Sequence, residues 1–424
     1  MKKNLTLLCL VIAVSIVLSS AVFAQVTLTL WDIRTESDPV SEPMADAIAR
    51  FEADYPDVKI QHVPIQNDNY KTKIQTAMAA NNEPDIFMTW GSSSLEKYVD
   101  NDKVLDLTPY LTEDWQANFT PAAMDLGIIN GQQYGIPVTN MATAVIWYRT
   151  DLFEKYDLEV PETYEELMDV CMTLKINGIT PFTLANKTKW TGSMYFVYLA
   201  DRIGGPEAFR NAANRTGAFN DEAFIEVGRV IQDMVKRGYF PEGVNGMDED
   251  TGQSRALIYA DKAAMYLMGT WANGVFESEN PEMKEDNISF FNFPAFQDGK
   301  GDPTNLIGTP GDNYYSVAAS SDNKEMAVEF LKYISDSDFA SDLAQVGNLP
   351  PFTGVKDDIE DPTIQEVYEL FQDANHIQLW YDQSLPQELA TVHLNTTQAL
   401  FGLTMTPEEA ANAMEEAAQE YYGE

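Results

Sequence analysis

Five tryptophans are placed where a folded chain would not hide them. Trp31 and Trp90 each close a strand-like run, followed by Asp32 and by Gly91-Ser92. Trp190 sits in the polar stretch NKTKWTGS, and Trp271 follows the apolar run Ala263–Met268 inside GTWANG. Trp380 lies in HIQLWYDQSLP beside Tyr381 and Asp382. A tryptophan at a strand end is ordinarily packed at a core margin, because the ring is large and rarely fully buried. Five together predict an aromatic-lined cleft. An indole face with carboxylates and amides at its edge suits a sugar: the apolar C–H face of the sugar stacks on the ring, and its hydroxyls need planar donors and acceptors. Asp32, Asp312, Asn313 and Asp382 can supply these. Trp147, inside a strand-like run, is undecided between core and cleft.

The same carboxylates admit a second chemistry. A glycoside hydrolase needs two carboxyl groups about 5–9 Å apart across the scissile bond. Asp32, Asp312 and Asp382 could nominally supply such a pair, although nothing in their local sequence marks one as a buried acid. Other activities find no support. There is no GxxxxGK[ST] phosphate loop, no GxSxG elbow and no HExxH helix. The three histidines, His62, His376 and His393, are scattered. Neither a metal nor a cofactor is expected. MDEDTG (residues 247–252) lacks the spacing and closing Glu of an EF-hand and reads as a solvated acidic turn.

Those side chains must be positioned by elements that the chain's periodicity exposes. Val26–Asp32 alternates like a strand, and Met44, Ile48, Phe51 and Tyr55 follow at helical spacing. Alternation returns in DVKIQHVPI, helical spacing in Tyr70, Ile74 and Met78, and a short strand in PDIFMTW. Strand, helix, strand, helix, strand reads as an α/β unit with a mainly parallel sheet, whose ligands sit beyond the carboxyl ends of the strands. The pattern restarts with the strand Met141–Arg149 and a helix opened by the capping box Thr163-Tyr-Glu-Glu166, with Leu167, Val170, Cys171 and Leu174 as its buried stripe. Further helices run through Phe209–Lys236 and Lys324–Ile334, strands through Ala263–Met268 and near Phe290, and Thr406-Pro-Glu-Glu opens a closing helix. Two α/β lobes with no flexible linker imply that the chain crosses between them more than once, at Pro137–Asn140 and Phe291–Pro294.

Composition narrows the setting. A net charge of −39 over 424 residues argues against nucleic acid and against an anionic membrane surface. Lys2-Lys3, the apolar run Leu5–Leu18 and Ala21-Val-Phe-Ala24 form the three parts of a secretory signal peptide cleaved after Ala24. Cys9 follows Leu8 without the small residue of a lipid-attachment site, so no lipid anchor is expected. Cys171 is then the only thiol left, a core residue without a disulfide partner.

In the order and spacing of LTLWD, ANNEPDIFMTWG, YGIPVTNMATAVIWYRTDLFEKYDLEVPETYEEL, KAAMYLMGTWANG, GDNYYSVAASSDNKEMAVEFLKYI and TPEEAANAMEEA, the chain resembles the extracellular solute-binding proteins of carbohydrate ABC transporters, the maltose-binding-protein-like group. The resemblance implies the two-lobed α/β fold of periplasmic binding proteins, each lobe a sheet flanked by helices. It implies lobes of residues 25–138 with 294–343 and 139–293 with 344–424, closing on a sugar. It carries Tyr148 onto a sugar-contacting tyrosine, Trp271 onto a stacking tryptophan, and Gly311 and Asp312 onto a cleft-lining loop. Trp31, Asp32 and Trp90 fall where first-lobe loops reach the ligand; Trp190, Trp380 and Asp382 match more loosely. A periplasmic or secreted monomer is implied, a non-enzyme delivering an oligosaccharide to membrane permease subunits. Several platforms favour an oligosaccharide over a single ring.

Overall fold

The computed structural model describes residues 25–423; the signal-peptide reading lies outside them. The chain builds two main sheets with separate cores, beside a small two-stranded ribbon of Ile128–Ile129 and Gln132–Gln133. The first lobe runs β1 (Val26–Asp32), α1 (Ser41–Asp54), β2 (Val58–Pro64), α2 (Asn67–Ala79), β3 (Ile86–Thr89), α3 (Ser92–Val99) and β4 (Ile136–Thr139). The chain crosses at Asn140–Met141 into β5 (Ala142–Arg149), α4 (Tyr164–Ile176), β6 (Thr180–Thr183), α5 (Trp190–Gly204), β7 (Ala263–Gly269), β8 (Ile288–Phe291) and β9 (Leu306–Thr309). It returns for β10 (Asn313–Val317), α6 (Lys324–Tyr333) and α7 (Pro362–Asp373), then ends in the second lobe with β11 (Ile377–Gln378), α8 (Tyr381–Ser384), α9 (Gln387–Phe401) and α10 (Pro407–Tyr422).

Strand order in the first sheet is β2-β1-β3-β10-β4, and in the second β11-β9-β5-β7-β6 with β8 beside β5. β1 pairs parallel with β2 and β3, and β7 with β6, as the alternating βα pattern requires. Both sheets are nevertheless mixed. β10 lies antiparallel between β3 and β4, and β5 antiparallel to β7, β8 and β9. The reason is the crossings: a strand entering a lobe from the cleft runs against those whose carboxyl ends point at it.

The first core gathers Leu28, Leu30, Phe51, Phe87, Tyr315 and Phe330; the second gathers Trp147, Leu167, Cys171, Leu174, Tyr195 and Leu267. Trp147 is therefore a core residue, as is Trp115, whose indole N–H donates to Ser335 Oγ at 2.9 Å. Cys171 is fully buried, which pushes its thiol up. Both capping boxes form, Thr163 with Glu166 and Thr406 with Glu409.

The lobe boundaries differ from those expected. The chain does not cross at Phe291–Pro294: β8 and β9 both belong to the second sheet, and the return comes between Thr309 and Asn313. Arg202, wholly buried beside Asp201, holds that segment by donating to the carbonyls of Phe293, Pro303 and Asn305 at 3.0–3.2 Å. Nor does residue 344 open the second lobe, because Leu349, Phe352, Ile364, Val367 and Phe371 pack in the first core. A third crossing follows α7, before β11.

Candidate functional site

The carboxyl ends of β1, β3 and β7 face the gap between the lobes, where a cavity of about 260 Å³ opens. Its dominant apolar surface is a run of three indoles. Trp271 lies between Trp190, ring centroids 6.2 Å apart, and Trp380, 6.1 Å apart. Local sequence explains how a ring beyond a strand end is held there. A Cβ at Gly269 would sit 2.3 Å from Trp271 Cη2 and Cζ3, so only glycine lets the indole fold back over the end of β7. Trp190 is the first residue of α5, and Trp380 immediately precedes α8. Opposite, on the first lobe, Trp90 is half-buried with Lys71 Nζ 5.0 Å from its ring centroid.

Polar groups converge on these faces. Arg34, 4% exposed, donates to Asp38 Oδ2 (3.0 Å), Thr139 Oγ1 (2.8 Å) and Asn313 Oδ1. Asp312 lies in the second crossing and accepts from Gln383 Nε2 at 3.2 Å and Asn313 Nδ2 at 2.9 Å. Asp382 stands beside it; burial raises its carboxyl above the usual range. On the far wall Glu249 accepts from Tyr266 Oη (2.6 Å), Arg255 Nη1 (2.7 Å) and Ser254 Oγ, while Arg255 also pairs with Glu279 at 2.9 Å. At the rim the lobes touch: Asp68 N donates to Asp250 Oδ2 at 3.0 Å.

Burial pushes the Asp312 carboxyl up to about 6, with neighbouring Asp382 adding to the rise against opposing pulls from Gln383 and Arg34. The folded protein thus keeps this proton to higher pH than the unfolded chain does, and stability falls as pH rises from the ordinary 3.8 through about 6. Asp312→Asn removes that slope. Its stability relative to wild type should improve by about 2 kcal/mol between pH 4 and pH 7, measured as urea midpoints.

Seven of the sequence-predicted residues line the cavity: Trp90, Trp190, Trp271, Asp312, Asn313, Trp380 and Asp382. Four do not. Trp31 lies under Lys73, whose Nζ is 4.1 Å from its ring centroid. Asp32 is fully buried behind Arg34, accepting from Arg34 N (3.0 Å), Tyr315 Oη (3.0 Å) and the ring nitrogen of His62 (2.8 Å). Tyr148 pairs with Met265 whereas Ala144 pairs with Gly269, which places it at the far end of β5, roughly 13 Å along the strand. It packs there on Phe153 and Phe291. Gly311 serves the crossing: a Cβ would meet Tyr314 Oη at 2.8 Å. Sequence reading missed Arg34, Lys71, Glu249, Arg255 and Gln383. The available signal was scarcity, since only 27 Lys and Arg stand against 66 Asp and Glu.

Residues 35–339 match the family model described as bacterial extracellular solute-binding protein. The chain belongs to that family. Among relatives of this solute-binding protein, an uncharacterised ABC transporter extracellular-binding protein of Pyrococcus horikoshii is 26% identical over 75% of this chain and 70% of its own. The melibiose/raffinose/stachyose-binding protein of Bacillus subtilis is 23% identical over 93% and 90%. A solved structure described under xylan utilization by Caldanaerobius polysaccharolyticus superposes with a TM-score of 0.86 at 33% identity, covering 92% of this chain and 99% of that one. A chitin oligosaccharide binding protein, at 23% identity and a TM-score of 0.85 over 94% and 100%, shares the two-lobed fold. The protein is a binder, not an enzyme, and the hydrolase alternative falls away.

Proposed function

We infer that this protein takes an oligosaccharide between its lobes and delivers it to the membrane permease subunits of an ABC transporter. One observation carries the reading: the Trp190–Trp271–Trp380 face opposes Trp90 across a cavity edged by Arg34, Asp312, Asp382 and Gln383. Extended stacking surface with polar groups at its margin is what a chain of sugar rings needs. The relatives named for melibiose, raffinose and stachyose, and the neighbour described under xylan utilization, support the same class.

Ligand that touches both lobes shifts the population toward the closed form, and the closed form is what the permease meets. The closing bodies are residues 25–139 with 313–371, and residues 142–309 with 377–423. The mature protein is a monomer, released by cleavage after Ala24 and without a lipid anchor; intact-mass measurement of the exported protein tests the cleavage. A thermal-shift screen of residues 25–424 against mono- and oligosaccharides tests the function. A sugar at about 100 times its dissociation constant adds about 2.7 kcal/mol of stability, so one saccharide series should raise the midpoint. A panel with no shift contradicts the reading.

A further inference from the structure

Behind Trp90 a groove of about 120 Å³ adjoins the main cavity; Lys71, Trp90, Asp382 and Gln383 line both. Its first-lobe wall comes from α2, the end of β3 and α3, and its second-lobe wall from α8 and α9, including Gln387. The groove therefore exists only where the lobes meet, and whatever fills it contributes to closure as the main ligand does.

Its charge is opposite to that of the molecule. The chain carries −39 overall, yet two lysines, Lys71 and Lys97, face this one small space. Neither makes an ion pair among the described residues. Lys71 Nζ lies against the Trp90 ring, and Lys97 Nζ donates to Gln387 Oε1 at 2.8 Å while resting 4.9 Å from the Tyr98 ring centroid. Burial, and then the Lys71 charge, lower Lys97 to about 8, against a weaker upward pull from Glu388 on α9. Asp382, on the partition with the main cavity, is drawn electrostatically to Lys71. Lys97 is thus the cation left with only a neutral amide oxygen as acceptor. Lys59, Lys187 and Lys284 each meet a carboxylate, whereas Lys97, like Lys189 on Asn395 Oδ1, is held by an amide oxygen.

We propose that the groove is a second subsite, which takes a carboxylate carried by the oligosaccharide, as a uronic acid ring or branch, with Lys97 as its counter-charge and Trp90 as the wall it shares with the neutral rings. A carboxylate there replaces the neutral amide acceptor of the Lys97 ammonium with an anionic one, so that donor and acceptor are both charged. The acid ring continues from sugar stacked in the main cavity, so the proposal rests on the oligosaccharide reading.

The test is calorimetric titration with matched ligands: neutral oligosaccharides such as xylotetraose and cellotetraose, each against the same chain bearing one glucuronic acid. The acidic partner should bind about tenfold tighter in low salt, with the advantage shrinking at 1 M salt as charges are screened. Lys97→Gln should abolish the advantage, weakening the acidic ligand far more than the neutral one, and Lys97→Arg should restore it. Equal or weaker binding of every acidic partner, alongside clear binding of a neutral chain, overturns the subsite and leaves the oligosaccharide reading standing. Loss of both ligands in parallel in Lys97→Gln also overturns it. No binding of any saccharide contradicts the underlying reading itself.

Discussion

Trp271→Ala should weaken oligosaccharide binding by about 2–3 kcal/mol, roughly 30- to 150-fold, with little change in unfolding midpoint. The size follows from position: the ring is half-buried, central to the three-indole run and oriented into the cavity. Its removal deletes stacking surface for the ligand while leaving the strand beneath it paired. Gly269→Ala is the sharper companion. It keeps the indole but places a methyl 2.3 Å from two of its carbons, so the ring must move. Affinity should fall in the same direction although no ligand-facing side chain has been deleted. Calorimetry on both variants, with urea unfolding as the control, checks the argument. Unchanged affinity in Trp271→Ala would make the indole packing material only.

Asp32→Ala should instead act on stability, lowering the unfolding free energy by about 3–5 kcal/mol. The carboxylate is wholly buried and holds three groups: the Tyr315 hydroxyl, the His62 ring and the backbone of Arg34. Without it, the buried Tyr315 hydroxyl on β10 and the partly exposed His62 ring on β2 lose their acceptor, and Arg34 loses the turn that aims it at Asn313 and Thr139. Weaker sugar binding should follow only as a secondary effect of a displaced Arg34. The measurement is a urea midpoint alongside a dissociation constant. Affinity lost at full stability would put Asp32 in direct contact with ligand after all.

Asp32 also shows where sequence reading stops. Strand ends were legible because apolar alternation breaks off at Trp31, Trp90 and Met268, and a parallel α/β unit sends such ends to one edge. Which way an end residue points is another matter. Trp31 and Asp32 are neighbours on β1, yet neither lines the cavity, while Arg34, two residues on, does. Tyr148 looked plausible beside its motif, but antiparallel pairing of β5 with β7 reverses which end meets the cleft. Direction within a pair is a long-range property, invisible to local periodicity. The same holds for the second crossing, fixed by Arg202 reaching three carbonyls about ninety to one hundred positions later. Trp190 and Trp380, nearly two hundred residues apart, both reach Trp271 only because α5 and α8 pack in one lobe. The tryptophans were legible as a class; their arrangement around Trp271 was not.

The most direct test of the central claim is a calorimetric titration of residues 25–424 with the oligosaccharide that gives the largest thermal shift, followed by analysis of the recovered sugar. The account predicts saturable heat at one ligand per chain, with the oligosaccharide returned intact. No heat with any saccharide, or a cleaved product in the recovered sugar, would contradict it.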